Sequence, residues 1–79
     1  MNAVRRKSLS NAVDLIDQAL YILESVKDDE QEAFDNMPEG FQDSERGERM
    51  EEIIDTLESV IDYLEDQNCD LLDIIGERR

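Results

Sequence analysis

The chain has little of what enzymes and secreted proteins commonly use. Its 79 residues include no histidine, no tryptophan, one cysteine, one proline and three glycines. A lone thiol cannot form an internal disulfide and fits a reducing compartment. No apolar run approaches the roughly 18 residues that a membrane span needs. The basic start MNAVRRKSLS is followed by Asp14 and Asp17 and not by a signal-peptide core. We therefore expect a cytoplasmic protein with no membrane contact.

Positive charge is scarce and unevenly placed. Eight bases stand against 22 acids, and the net charge is −14. Five of the bases stand at the ends of the chain, at Arg5, Arg6, Lys7, Arg78 and Arg79. The acidic body between them would repel phosphate, so we expect no direct contact with nucleic acid.

The residue patterns of common catalytic and metal sites are missing. Without histidine there is no Glu-x-x-His pair for a di-iron bundle, and calcium-loop, zinc and glycine-rich phosphate-loop spacings do not occur. Cys69 has no basic neighbour in sequence and is expected to be a small packed residue. We predict no enzymatic activity, no catalytic residue, no metal site and no cofactor.

Apolar residues recur with helical spacing in two stretches. The first stretch predicts a helix over about 8–36, capped by Ser8 or Ser10, with an apolar face and a neighbouring seven-residue repeat of Ala12, Ala19, Val26 and Ala33. The second predicts a helix over about 44–76, in which Gln67 and Asn68 are the polar residues of the apolar face. We interpret that pair as setting the register of packed helices.

The intervening segment NMPEGFQDSERGE holds the only proline. Asn36 and Pro38 favour a turn, and Asp43 or Ser44 can cap the second helix. Phe41 is expected to cover the open end of the core. The chain is thus predicted to be all-α, a single antiparallel two-helix hairpin with a loop at 37–43.

Two helices alone bury little apolar surface, which favours self-association. We predict a homodimer that forms a four-helix bundle. The residues assigned to self-association are Ile54, Leu57, Ile61, Leu64 and Leu71. The rival interpretation is a monomer whose apolar stripe awaits a different protein.

The second predicted helix carries a row of acids at alternating spacings of four and three residues. Glu51, Asp55, Glu58, Asp62 and Glu65 form the row, and Glu48, Glu52 and Asp66 broaden it. Successive carboxylates are about 5 Å apart along the helix, of the same order as phosphates along a nucleic-acid strand. Three accounts remain open: a phosphate mimic that binds a basic protein, a solvated face of an assembly protein, and adaptation to high salt.

A resemblance favours the first account. The segments DEQEAFDNMPEGFQDSERGE and MEEIIDTLESVIDYLED resemble small acidic helical proteins of phages and integrative elements of Gram-positive bacteria. The matching positions are Asn36, Pro38, Glu39, Gln42, Ser44, Glu45 and Arg46. The resemblance implies no activity by itself. Phage-encoded inhibitors of host nucleases, anti-CRISPR proteins among them, are often small, acidic and helical, so a basic nucleic-acid-binding protein is the partner that this analogy suggests.

Overall fold

The computed structural model describes residues 1–76, and within that range every regular element is helical. The elements are α1 (Ala3–Asp35), α2 (Glu39–Gln42) and α3 (Glu45–Gly76). The all-α prediction is confirmed. Arg78 and Arg79, two of the five bases at the ends of the chain, lie outside the described residues.

The first helix begins at Ala3, before the predicted start at residue 8, because Asn2 caps it. The Asn2 side chain accepts a hydrogen bond from the Arg5 backbone N–H at 2.9 Å. This bond satisfies one of the N–H groups that a helix start leaves without a partner. Ser8 and Ser10 therefore lie inside the helix. At the other end, the Asn36 N–H donates to the Glu32 carbonyl at 3.0 Å.

The two long helices lie side by side and form the main contact of the molecule. The Cα atoms fill an envelope of 59 × 15 × 13 Å, which is a long and thin pair. We label heptad positions a to g, with a at Val13 in α1 and at Ile54 in α3. The a and d residues of both helices face each other, and we call this contact the seam. Its most buried side chains are Val13, Leu20, Ile54, Ile61 and Asn68.

The joint between the long helices is built from hydrogen bonds and one close backbone approach. The Gln42 amide donates to the carbonyls of Phe34 at 3.0 Å and Met37 at 3.4 Å, which satisfies acceptors at the end of α1. Ser44 caps α3, as predicted, because its Oγ accepts from the Gly47 N–H at 3.3 Å and donates to the Phe41 carbonyl. The joint therefore contains specific bonds and the one-turn helix α2, and is not a plain loop.

Two expectations about single side chains are wrong. Phe41 does not cover the core, because 60% of its surface is exposed. The end of α1 is capped by the Gln42 side chain, which donates to the Phe34 carbonyl. Cys69 is exposed and not packed, because it lies one residue past the buried position of Asn68.

Gly47, the third residue of α3, should be the residue next to the joint that least tolerates a side chain. A Cβ atom there would lie 2.1 Å from the Gln42 carbonyl oxygen and 2.7 Å from that of Phe41. We expect Gly47→Ala to lower the free energy of unfolding by about 1–3 kcal/mol, the usual range for overpacking. Urea denaturation followed by circular dichroism measures the change.

The matched control is Gly40→Ala in α2, where an added Cβ meets no atom within 4 Å. This substitution should be neutral or stabilising, by about 0.4–1 kcal/mol, because it restricts the unfolded chain. Equal effects of the two substitutions would contradict the role of the close approach at Gly47.

Candidate functional site

The helix pair has two flanks of opposite chemical character. In each helix the e and b positions lie on one flank of the seam and the g and c positions lie on the other. Ala33 and Arg46, both at g, line the same cleft together with Asn36 at c. The g flanks of α1 and α3 are therefore on the same side of the molecule, which leaves both e flanks on the opposite side.

The e and b positions form what we call the acidic side. Every carboxylate on it is exposed to solvent. Helix α1 contributes Asp14, Asp17, Glu24, Asp28 and Asp35, and α3 contributes Glu48, Glu51, Asp55, Glu58, Asp62 and Glu65. The acidic row predicted on α3 is thus joined by a second acidic row from α1, which the pattern of α3 alone does not predict.

Six of the eight carboxylates predicted to bind a partner belong to the acidic side. The other two, Glu52 and Asp66, are at f positions and point away from the seam, so they border this side. Arg49 lies 3.5 Å from Glu52, and both side chains are about 70% exposed. Such an exposed pair contributes little to stability and leaves the negative potential of the region dominant.

The g and c positions form what we call the apolar side. It displays Leu15 at 64% exposure, Ile22 at 61% and Tyr63 at 65%, which is unusual for large apolar side chains on one surface. Around them lie Ala12, Ala19, Val26 and Ala33 of α1 and Ile53, Val60 and Ile74 of α3. The acids Asp29 and Asp70 are the carboxylates at its c positions.

The residues assigned to self-association lie elsewhere. Ile54 and Ile61 are buried in the seam, with 6% and 4% of their surface exposed, and Leu57, Leu64 and Leu71 are half-buried there. They pack against α1 of the same chain. The sequence signal for the apolar side was the repeat of Ala12, Ala19 and Val26 at the g positions. The c positions beside this repeat hold Leu15 and Ile22.

One polar contact crosses the seam. The Asn68 amide donates to Asp17 Oδ1 at 2.8 Å, and Asn68 is only 5% exposed. The Asn68 Oδ1 atom is also buried and accepts no hydrogen bond within residues 1–76. A buried amide with one specific partner favours a single alignment of two helices, as predicted for this residue. Gln67, the other polar residue considered, is exposed.

An open cleft of about 400 Å³ lies where the apolar side meets the joint. It is lined by apolar side chains, one amide and one cation, and its residues are Ala33, Asn36, Met37, Pro38, Phe41, Arg46 and Met50. The cleft therefore extends the apolar side to the end of the molecule that carries α2.

Within residues 1–76, no three metal-ligating side chains are placed to hold an ion, and no helix is both long and apolar enough to cross a membrane. The chain matches no protein-family model, and no curated protein and no solved structure shows significant similarity to it.

The bond between Asp17 and Asn68 should stabilise the pair measurably. We expect Asp17→Ala to lower the free energy of unfolding by about 1–3 kcal/mol relative to Asp14→Ala, because it leaves a buried N–H group without an acceptor. Asp14 is an exposed acid of the same flank, so this control matches the gain in helix propensity and the lost charge. In an Asn68→Leu background the difference between the two substitutions should vanish. A difference that persists there would mean that Asp17 acts through another contact.

Proposed function

We propose that the chain is an antiparallel two-helix hairpin that acts as a non-enzymatic protein-binding module. The length of the joint supports the antiparallel direction. Residues 36–44 can span at most about 32 Å when fully extended, whereas a helix as long as α1 measures about 50 Å, so a parallel return would not fit. The hydrogen bond between Asp17 and Asn68 agrees, since both residues lie a similar number of turns from the joint.

The acidic side is the proposed binding surface. It mimics the phosphates of a nucleic acid and occupies a basic groove on a nuclease or another nucleic-acid-binding protein, in the manner of a phage-encoded, anti-CRISPR-like inhibitor. The observation that carries this proposal is the segregation of charge. Exposed carboxylates from both helices dominate one flank, on which Tyr21 and Leu72 are the large exposed apolar side chains, and Lys7 is the one base at an e or b position within residues 1–76. Such a surface attracts a basic groove over distance and speeds association at low salt.

The arrangement lowers stability, which argues against solubility as its purpose. Like-charged pairs four residues apart, such as Glu51 with Asp55 and Glu58 with Asp62, each destabilise a helix by about 0.2–0.5 kcal/mol. Lysines interleaved at these spacings would give the same solubility and stabilise the helix. A row that lowers stability is better explained by a target that requires negative charge.

A second candidate function rests on the apolar side. A structural or adaptor protein of a mobile element would use that side for assembly and would keep the acidic side as a solvated surface. The exposure of Leu15, Ile22 and Tyr63 favours this candidate. The two functions use opposite flanks, so substitutions on one flank distinguish them.

Neutralising the centre of the acidic row should separate binding from folding. We expect Asp55→Asn, Glu58→Gln and Asp62→Asn together to weaken binding of a basic target, because three carboxylates that attract the basic groove are removed. The expected loss is at least ten-fold in affinity, or about 1.4 kcal/mol of binding free energy. The same variant should melt at a higher temperature, since like-charged pairs are removed. Captured partners from bacterial lysate, identified by mass spectrometry at low and high salt, supply the target for a competition assay with nucleic acid.

The matched control removes three carboxylates that are not on the acidic side. Asp29→Asn, Glu32→Gln and Asp73→Asn produce the same net charge, and all three positions are exposed. This control should keep the wild-type affinity. Equal losses in both variants would mean that total charge and not the acidic side governs binding, and full binding by the first variant would exclude the mimic.

A further inference from the structure

The apolar side is long and wide enough to be an interface. From the level of Ala12 to that of Ala33 it runs for 21 residues, or about 32 Å at 1.5 Å per residue. The Cα envelope is 15 Å across the pair, and side chains widen it to about 20 Å. The projected area is therefore roughly 600 Å², which is the lower end of what each partner buries in a stable complex.

A second copy of this chain is the occupant that the charges favour. Two copies that meet through their apolar sides keep both acidic sides on the outer surfaces, where the carboxylates are farthest apart. A basic partner would instead be drawn to the acidic side, because the apolar side carries only Asp29 and Asp70 among its acids. The centre of the apolar side is occupied by Ile22 and Tyr63, which are apolar and aromatic, the residue types enriched in interface cores.

The two ends of the hairpin differ in charge, and this difference favours one relative direction of the two copies. Residues 1–13 contain three bases and no acid, whereas residues 28–45 contain eight acids and no base, and Arg46 and Arg49 are the two bases that follow. A side-by-side arrangement with both joints at the same end would place two eight-acid segments together. We call the opposite case head to tail: the two copies run antiparallel about a two-fold axis, and their joints lie at opposite ends of the dimer. This arrangement places the exposed Arg5 and Lys7 of each copy near the acid-rich joint of the other, which is favourable.

We propose that two copies pack head to tail through their apolar sides, with Ile22 and Tyr63 at the two-fold axis, and form a four-helix bundle that displays an acidic side on each outer surface. This inference rests on the antiparallel hairpin proposed above and not on the identity of any target. The seam of each copy stays intact in the bundle, so Ile54 and Ile61 remain inside their own chain. In this arrangement α1 of one copy packs against α1 of the other, and the two helices run in opposite directions.

The first test compares neighbouring residues on opposite flanks. Ile22→Asp places two charges at the two-fold axis and should weaken self-association at least ten-fold, measured by light scattering and sedimentation equilibrium. Tyr21→Asp alters a residue of the acidic side that is at least as exposed, at 74% against 61% for Ile22, and should leave the dimer intact. Wild-type protein should have about twice the 9.2 kDa chain mass. A wild-type monomer at several hundred micromolar would overturn the proposal, and so would equal effects of the two substitutions.

The second test determines the direction and does not depend on a destabilising change. Ala12→Cys and Ala33→Cys are each made in a Cys69→Ser background, mixed, and treated with a short bismaleimide. The head-to-tail dimer brings position 12 of one copy to position 33 of the other, so a mixed cross-linked product is expected. Within one copy, and in the opposite arrangement, these positions are about 32 Å apart. A dimer that cross-links only 12 to 12 and 33 to 33 would overturn the head-to-tail direction. Either failure leaves the acidic-side proposal standing, because its variants lie on the other flank.

Discussion

The approach of α3 to the backbone of α2 at Gly47 is the constraint on which the rest of the structure depends. No residue with a side chain fits there, because even a methyl carbon would lie 2.1 Å from the Gln42 oxygen. The Gln42 amide at the same time binds carbonyls at the end of α1. Together these contacts fix where α3 begins relative to α1, and hence which residues of the two helices meet in the seam. A slip of one residue rotates α3 by about 100°, and in one of the two directions it would carry the acids of the e and b positions into the seam.

The alignment of the two long helices, which the joint fixes, determines which side chains lie on each flank. Once Val13, Leu20, Ile54 and Ile61 are in the seam, heptad geometry places the carboxylates on one flank and the remaining apolar side chains on the other. The hydrogen bond between Asp17 and Asn68 reinforces this alignment from the far part of the seam. The two surfaces are separate, so the proposed binding of a basic target and the proposed pairing with a second copy use different residues.

Sequence periodicity predicted the helices and most of the acidic row, because both follow a repeat that one helix displays by itself. Ser44 as a cap and Asn68 as a polar seam residue followed from local rules of the same kind. The exposure of Phe41 and the roles of Gln42 and Gly47 were not predictable, since they depend on how α2 packs between the long helices. The apolar side was missed for a related reason. Leu15 and Tyr63 belong to different helices, and only the packed pair places them on one surface.

The two tyrosines provide the most direct measurement on the unaltered protein. Tyr21 lies on the acidic side and Tyr63 on the apolar side, and in one chain they are similarly exposed, at 74% and 65%. Hydroxyl-radical footprinting with mass spectrometry reports the reactivity of each ring at increasing protein concentration. The account predicts that Tyr63 becomes protected as copies pair, while Tyr21 stays fully reactive. Protection of Tyr21 would contradict an acidic side that stays open. Constant reactivity of both rings up to several hundred micromolar would contradict an apolar side that a second copy covers.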